Sequence, residues 1–177
     1  MTGRLFMVVG ASGAGKDTLL AGAVKADPTL YWARRVITRP EVSGGEPFEG
    51  VDNASFDARR AAGEFALDWQ AHGLSYGVPK AELAPRDAGR KVLVNGSRAA
   101  LEAALRRYPD LTVIRISAPS AVLAERLMAR GRESRADIEA RLNRANYDLP
   151  KAVAVFDIIN DASPETGIVR LLQAVSA

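Results

Sequence analysis

The stretch Val8-Val9-Gly10-Ala11-Ser12-Gly13-Ala14-Gly15-Lys16-Asp17-Thr18 constrains this chain more than any other. An apolar run, Leu5 to Val9, precedes the loop and reads as a buried strand; Thr18 to Lys25 follows it and reads as a helix. A glycine-rich turn between strand and helix aims successive backbone N–H groups at a phosphate chain, and the helix N-terminus adds its positive dipole end. Residues Gly10, Ala11, Ser12, Gly13, Ala14, Gly15, Lys16, Asp17 and Thr18 are therefore candidates to cradle a nucleoside triphosphate, with Lys16 reaching the terminal phosphates. The hydroxyl usual after the lysine, which helps hold Mg²⁺, is replaced by Asp17, and the hydroxyl comes one place later at Thr18. A loop that merely turns the chain is the competing reading, and the strand–turn–helix context weighs against it.

Beyond the loop, Asp27-Pro28 ends the first helix, and Tyr31 to Thr38 reads as one strand centred on Val36 and Ile37. Arg39 to Val51 is rich in Gly, Pro and Glu and reads as loop. Ser55 to Ala62 reads as a short helix with Ser55 near its cap. Phe65 to Trp69 and Leu74 to Val78 are strand-like pieces around His72-Gly73. The core pattern is weaker from 34 to about 90, as for a lobe inserted between core strands. Strand and helix then alternate: Lys91 to Asn95, Ser97 to Tyr108, Thr112 to Ile116, Pro119 to about Arg130, Arg135 to Asp148, Phe156 to Ile159, and a closing helix with the stripe Ile168, Leu171, Leu172, Val175. This order predicts an α/β fold, a three-layer sandwich with a parallel sheet covered on both faces. The expected divisions are a core of residues 1–33, 91–129 and 149–177, an acceptor lobe 34–90 and a lid of about 130–148.

Totals narrow the class. The 177 residues suit one domain, and 47% hydrophobic with 25% charged residues is ordinary for a soluble globular protein. With no cysteine, disulfides and cysteine metal sites are excluded. The apolar N-terminal run enters the loop directly, so it reads as a core strand and not a leader, and a cytoplasmic location is expected. Nineteen of the 24 basic residues are arginine, whose fork suits phosphate oxygens. They are scattered among acids without interleaved aromatics, which argues against a nucleic-acid partner; no membrane partner is expected either.

The order of motifs resembles the guanylate kinase-like branch of the P-loop nucleoside monophosphate kinases over nearly the whole chain. The resemblance rests on the phosphate loop, Ile37-Thr38-Arg39-Pro40, Gly45-Glu46, Gly50-Val51-Asp52 with Phe56, Phe65 to Trp69, Gly73 to Gly77, Arg126-Leu127, Arg130-Gly131, Arg141-Leu142 and Phe156 to Asp161. Several acceptor positions depart from guanylate kinase. Glu41 and Val42 stand after Pro40 where a second arginine is usual, Asn53 replaces a tyrosine, Val78 replaces a hydroxyl residue, and Val94-Asn95-Gly96-Ser97-Arg98 replaces a strand-end acid. Together with Gly15-Lys16-Asp17-Thr18, Trp69-Gln70-Ala71-His72-Gly73-Leu74 and Arg130-Gly131-Arg132-Glu133, these features are similar to the ribose 1,5-bisphosphate phosphokinase family of phosphonate breakdown.

That resemblance implies transfer of the ATP γ-phosphoryl group to the 1-phosphate of ribose 1,5-bisphosphate, giving phosphoribosyl diphosphate (PRPP) and ADP. An acceptor phosphate is largely ionised at neutral pH, so cations are needed and a general base is not. The expected parts are Lys16 on the phosphates and Asp17 on Mg²⁺, directly or through water. By resemblance Arg130 and Arg141 clamp the nucleotide, with Arg132 sharing that work. On the acceptor side the candidates are Arg39, Tyr76, Asp68, Asn95 and Arg98. Asp68 is chosen because a carboxylate can accept from two ribose hydroxyls. Arg98 is chosen because it starts a helix past a strand's carboxyl end. His72 reads as structural or rim-lining, and Trp69, Phe65 and Phe56 as core of the small lobe. Two alternatives stand beside this reading: a guanylate or other nucleoside monophosphate kinase, and a non-catalytic guanylate kinase-like binding module.

Overall fold

The computed structural model describes residues 1–41, 45–131, 133–145, 149–150 and 153–177. The first strand, β1 (Leu5–Val9), is buried at every residue, as a strand covered on both faces must be. It feeds the loop and then α1 (Lys16–Ala26), which begins at Lys16 rather than Thr18. The segment expected to be one strand is two. Its first part, β2 (Tyr31–Trp32), stays in the main sheet through Ala33 N–H to Leu93 O at 2.9 Å. Arg34 N–H then donates instead to the Glu82 carboxylate at 2.7 Å, and the chain leaves for a second sheet as β3 (Arg35–Ile37). The Gly/Pro-rich stretch is also not all loop: β4 (Phe48–Gly50) pairs in parallel with β3.

Helix α2 (Asn53–Ala61) starts two residues before Ser55 because Asp52 is the cap, its carboxylate accepting from Ser55 N–H at 2.7 Å. A hairpin of β5 (Phe65–Ala71) and β6 (Leu74–Pro79) follows, and then α3 (Lys80–Asp87). The alternation resumes with β7 (Val92–Asn95), α4 (Arg98–Arg107), β8 (Thr112–Ser117), α5 (Ser120–Arg130), α6 (Arg135–Ala145), β9 (Val155–Ile159) and α7 (Pro164–Ser176). The part of the expected helix at 146–148 lies outside the described residues, as does Arg132.

Five parallel strands in the order β2-β7-β1-β8-β9 form the main sheet. Side chains alternate across it. Phe6, Val8, Leu93, Ile114 and Ile116 pack with Leu19, Leu20 and Ala23 of α1 and Leu171 and Val175 of α7. Leu5, Met7, Val92, Val94 and Val113 pack on the other face with Ala100, Leu101 and Ala104 of α4. This is the expected three-layer sandwich. The second sheet, β4-β3-β6-β5, takes all its strands from residues 35–79. One face holds Phe56 stacked on Phe65 (4.8 Å between centroids) with Val36. Its other face, with Ile37, Trp69, Tyr76 and Val78, joins the core of the main sheet.

Because α7 seals one face through the fully buried Leu171, Leu171→Ala is expected to cost about 2–5 kcal/mol of unfolding free energy. Urea denaturation measures it; a loss under about 1 kcal/mol would contradict this packing.

Candidate active site

A loop that turns its N–H groups inward turns carbonyls outward, and those need donors. Lys16 Nζ donates to Gly10 O (2.7 Å) and Ala11 O (3.1 Å). From α5, Arg126 donates to Gly13 O and Ala14 O (both 3.3 Å) and to Asn160 O (3.0 Å). Asn160, just past β9, donates from its side-chain amide to Ala14 O at 2.8 Å. Gly15 is required twice: its φ is +93°, and a Cβ there would stand 2.5 Å from that amide. Arg126 and Asn160 were not among the expected site residues, although both fall in motifs that carried the resemblance. Their roles depend on which strand ends lie beside β1.

The loop forms one wall of a cavity of about 380 Å³ beyond the carboxyl ends of β1 and β7. Lys16, Arg35, Arg39 and Arg130 line it, against the carboxylates of Asp17 and Glu46. Four cations facing two acids make it suited to polyanions. Burial pushes the Lys16 ammonium down to about 8; Asp17 counters this, while Arg35 and Arg130 add to it. Arg35 is buried, paired through Nε and Nη2 with both oxygens of Glu46, and lies over the Tyr76 ring at 4.9 Å. Burial pulls its guanidinium down to about 10, which leaves it charged at neutral pH. Arg39 lies over Phe48 at 4.4 Å. Asp17 accepts from the Asn95 amide at 2.8 Å. A second cavity of about 300 Å³ shares Gly13, Gly15, Thr18 and Arg130 with the first and adds Arg126, Asn160 and Pro164.

Of the expected residues, Gly10, Ser12, Gly13, Gly15, Lys16, Asp17, Thr18, Arg39, Tyr76, Asn95 and Arg130 come together on the first cavity. Ala11 and Ala14 belong to the same loop through the carbonyls above. Asp68 does not join them. Strand alternation sends Trp69 and Ala71 to the cavity and leaves Asp68 exposed on the opposite face of β5. Arg98 is also outside the lining; it is exposed on the first turn of α4, while Gly96 and Ser97 before it reach the cavity. Arg141 belongs to α6, but its side chain, like all of Arg132, lies outside the described residues. Trp69 is buried in the core as expected and also reaches the cavity wall, and His72 is at the cavity as well. Arg35, Glu46 and Ser97 were missed. A buried arginine–glutamate pair leaves no local pattern, because its partners are 11 residues apart.

The fold and this loop define a guanylate kinase-like P-loop protein. The guanylate kinase of Anaplasma phagocytophilum superposes with a TM-score of 0.69, covering 99% of this chain and 85% of that one at 19% identity. A gluconokinase from Sinorhizobium meliloti gives 0.53 at 17% identity, covering 99% and 92%. No family model matches the chain. Sequence similarity is closer. Ribose 1,5-bisphosphate phosphokinase PhnN of Ruegeria sp. TM1040 is 43% identical over 99% of this chain and 93% of its own length. Its namesake in Pseudomonas fluorescens SBW25 is 50% identical over 81% and 77%. The chain belongs to the ribose 1,5-bisphosphate phosphokinase family. It also spans about a quarter (26%) of a longer relative, the bifunctional ribose 1,5-bisphosphokinase-thymidine phosphorylase of Azorhizobium caulinodans, at 48% identity.

The position of Lys16 carries a pH signature. With its folded value near 8, below its ordinary 10.5, the unfolded chain holds the extra proton between those values, so stability rises with pH across that window. Lys16→Met removes the penalty. In urea titrations the variant is expected to gain on wild type most at pH 7, with the gap closing between about pH 8 and 10.5. A gap independent of pH would rule out a depressed Lys16.

Proposed function

We propose that this protein transfers the γ-phosphoryl group of ATP to the 1-phosphate of ribose 1,5-bisphosphate, forming phosphoribosyl diphosphate and ADP. The observation that carries the reading is the single cavity joining the phosphate loop to Arg35, Arg39, Tyr76 and Asn95. Family membership supplies the acceptor's identity. An oxygen of the 1-phosphate forms the new bond to the γ-phosphorus, and the bond from that phosphorus to the β-bridging oxygen breaks, its electrons leaving on ADP. No proton need be removed from an ionised acceptor. The protein's task is to align two polyanions and offset their repulsion.

On the nucleotide side the loop N–H groups and Lys16 hold the β- and γ-phosphates, and Arg130 faces both cavities, where the transferring group would sit between donor and acceptor. Lys16 is engaged by Gly10 O and Ala11 O, so it turns toward the phosphates by exchanging two neutral acceptors for charged ones. Arg39 and Arg35 take the acceptor's phosphates, and Tyr76 sits beside them. Bound with ATP, Mg²⁺ would neutralise charge on the β- and γ-oxygens. Asp17 fits the ion, directly or through water, being a hard oxygen donor next to Lys16 and oriented by Asn95. Among the described residues no group of three or more His, Asp or Glu is gathered, and Mg²⁺ held mainly by phosphates and water needs none.

The alternative acceptor, GMP, is less favoured: Val78 is fully buried in the core and offers the cavity no hydroxyl. An ADP-release assay with ATP and Mg²⁺ is expected to respond to ribose 1,5-bisphosphate and not to GMP; the reverse would overturn the acceptor assignment. Arg130→Ala is expected to lower kcat by about 10²–10³-fold. Asp68→Asn and Arg98→Ala, outside the cavity, should leave KM for both substrates within about twofold of wild type. A large acceptor KM change in either variant would return that residue to the site.

A further inference from the structure

Asn95 Oδ1, Ser97 Oγ and Trp69 Nε1, on three residues that line the first cavity, are buried and have no hydrogen-bond partner among the described residues. Buried polar groups are normally hydrogen-bonded, so a folded protein rarely keeps three such atoms together without a ligand or ordered water to fill them. They differ in kind. One is an acceptor, one a donor, and one a hydroxyl that does both.

Their orientations are set from behind. The Asp17 carboxylate can only accept, so the amide nitrogen of Asn95 must face it, at 2.8 Å, and the amide oxygen must face away. Asn95 is 3% exposed and Trp69 7%. The indole is pinned in register with Tyr76 across β5 and β6, its ring stacked on the phenol with centroids 5.5 Å apart and planes 5° from parallel. Ser97 occupies the N-cap position of α4 in extended conformation, yet its hydroxyl caps nothing in the helix. The usual partner of a capping serine is forgone.

We infer that Asn95, Ser97 and Trp69 are the specificity set that reads the hydroxyl groups of the acceptor's sugar ring, an inference resting on the acceptor proposed above. A sugar hydroxyl is a rotor that can accept from the indole N–H and donate to the amide oxygen, and a neighbouring hydroxyl complements Ser97. The phosphates of the same molecule then fall to Arg35 and Arg39, which line the same cavity. Sugar recognition thus moves from Asp68 to its neighbour on β5.

The test compares ribose 1,5-bisphosphate with its 2-deoxy and 3-deoxy analogues at saturating ATP, for wild type, Trp69→Phe and Ser97→Ala. Trp69→Phe keeps an aromatic ring on Tyr76 and removes the N–H. Wild type is expected to show a KM about tenfold higher for at least one deoxy analogue. Each variant should raise KM for the ribose compound about 5–30-fold and shrink the penalty for the deoxy analogue it ceases to read, with KM for ATP and the melting temperature unchanged. If both variants keep wild-type KM values and the full deoxy penalty, the inference fails while the proposed reaction stands. If wild type turns over GMP but none of the sugar bisphosphates, the reaction itself fails and takes this inference with it.

Discussion

The outward carbonyls of the phosphate loop are the demand to which the rest of the molecule answers. Inward N–H groups are useful only if the opposite ends of the same peptides are satisfied. The donors come from the start of α1, from α5 and from the residue after β9. The order of the parallel strands follows this requirement. With β8 and β9 on one side of β1, Arg126 and Asn160 reach Ala14 O. With β7 on the other side, Asn95 reaches Asp17. Either side missing would leave buried polar groups on the loop or its first turn, at a cost comparable to much of a domain's net stability.

Electrostatics follow the same geometry. Lys16, Arg35, Arg39 and Arg130 share one small cavity, an arrangement that repels itself in the absence of anions. Burial first, and this repulsion second, lowers the Lys16 and Arg35 values, and the compensating acids are Asp17 and the buried Glu46. A buried arginine–carboxylate pair adds little net stability. Its value here is to hold a guanidinium beside Tyr76 while keeping that part of the wall from unbalanced charge.

Where the signal is local, the sequence is readable. The loop, the all-apolar β1 and the alternation after residue 91 specify a parallel sheet without further information, and the closing helix is visible in its Ile168–Val175 stripe. The break at Ala33-Arg34 is not, because Val36 and Ile37 continue the apolar run and the competing partner, Glu82, lies 48 residues on. Strand β4 hides because only Phe48 of its residues is buried. In the site, the loop residues and Arg39, Tyr76, Asn95 and Arg130 follow from motif position. Trp69 rather than Asp68 lines the cavity because facing depends on the register of β5, where the pairing slips between Phe65 and Leu67. Such an irregularity has no one-residue signature.

The departure of the chain from the main sheet after Trp32 has a consequence of another kind. On the proposed reading the nucleotide side is lined from 10–18, 126–130 and 160, and the acceptor side from 35–39, 45–46, 69–76 and 95–97. The two sets meet at Asp17, which accepts from the Asn95 amide and stands beside Gly45. Descent with modification can therefore redraw one half of the cavity almost independently of the other. The Asp17–Asn95 hydrogen bond is a place where a change of acceptor chemistry would have to be matched by a change in the loop.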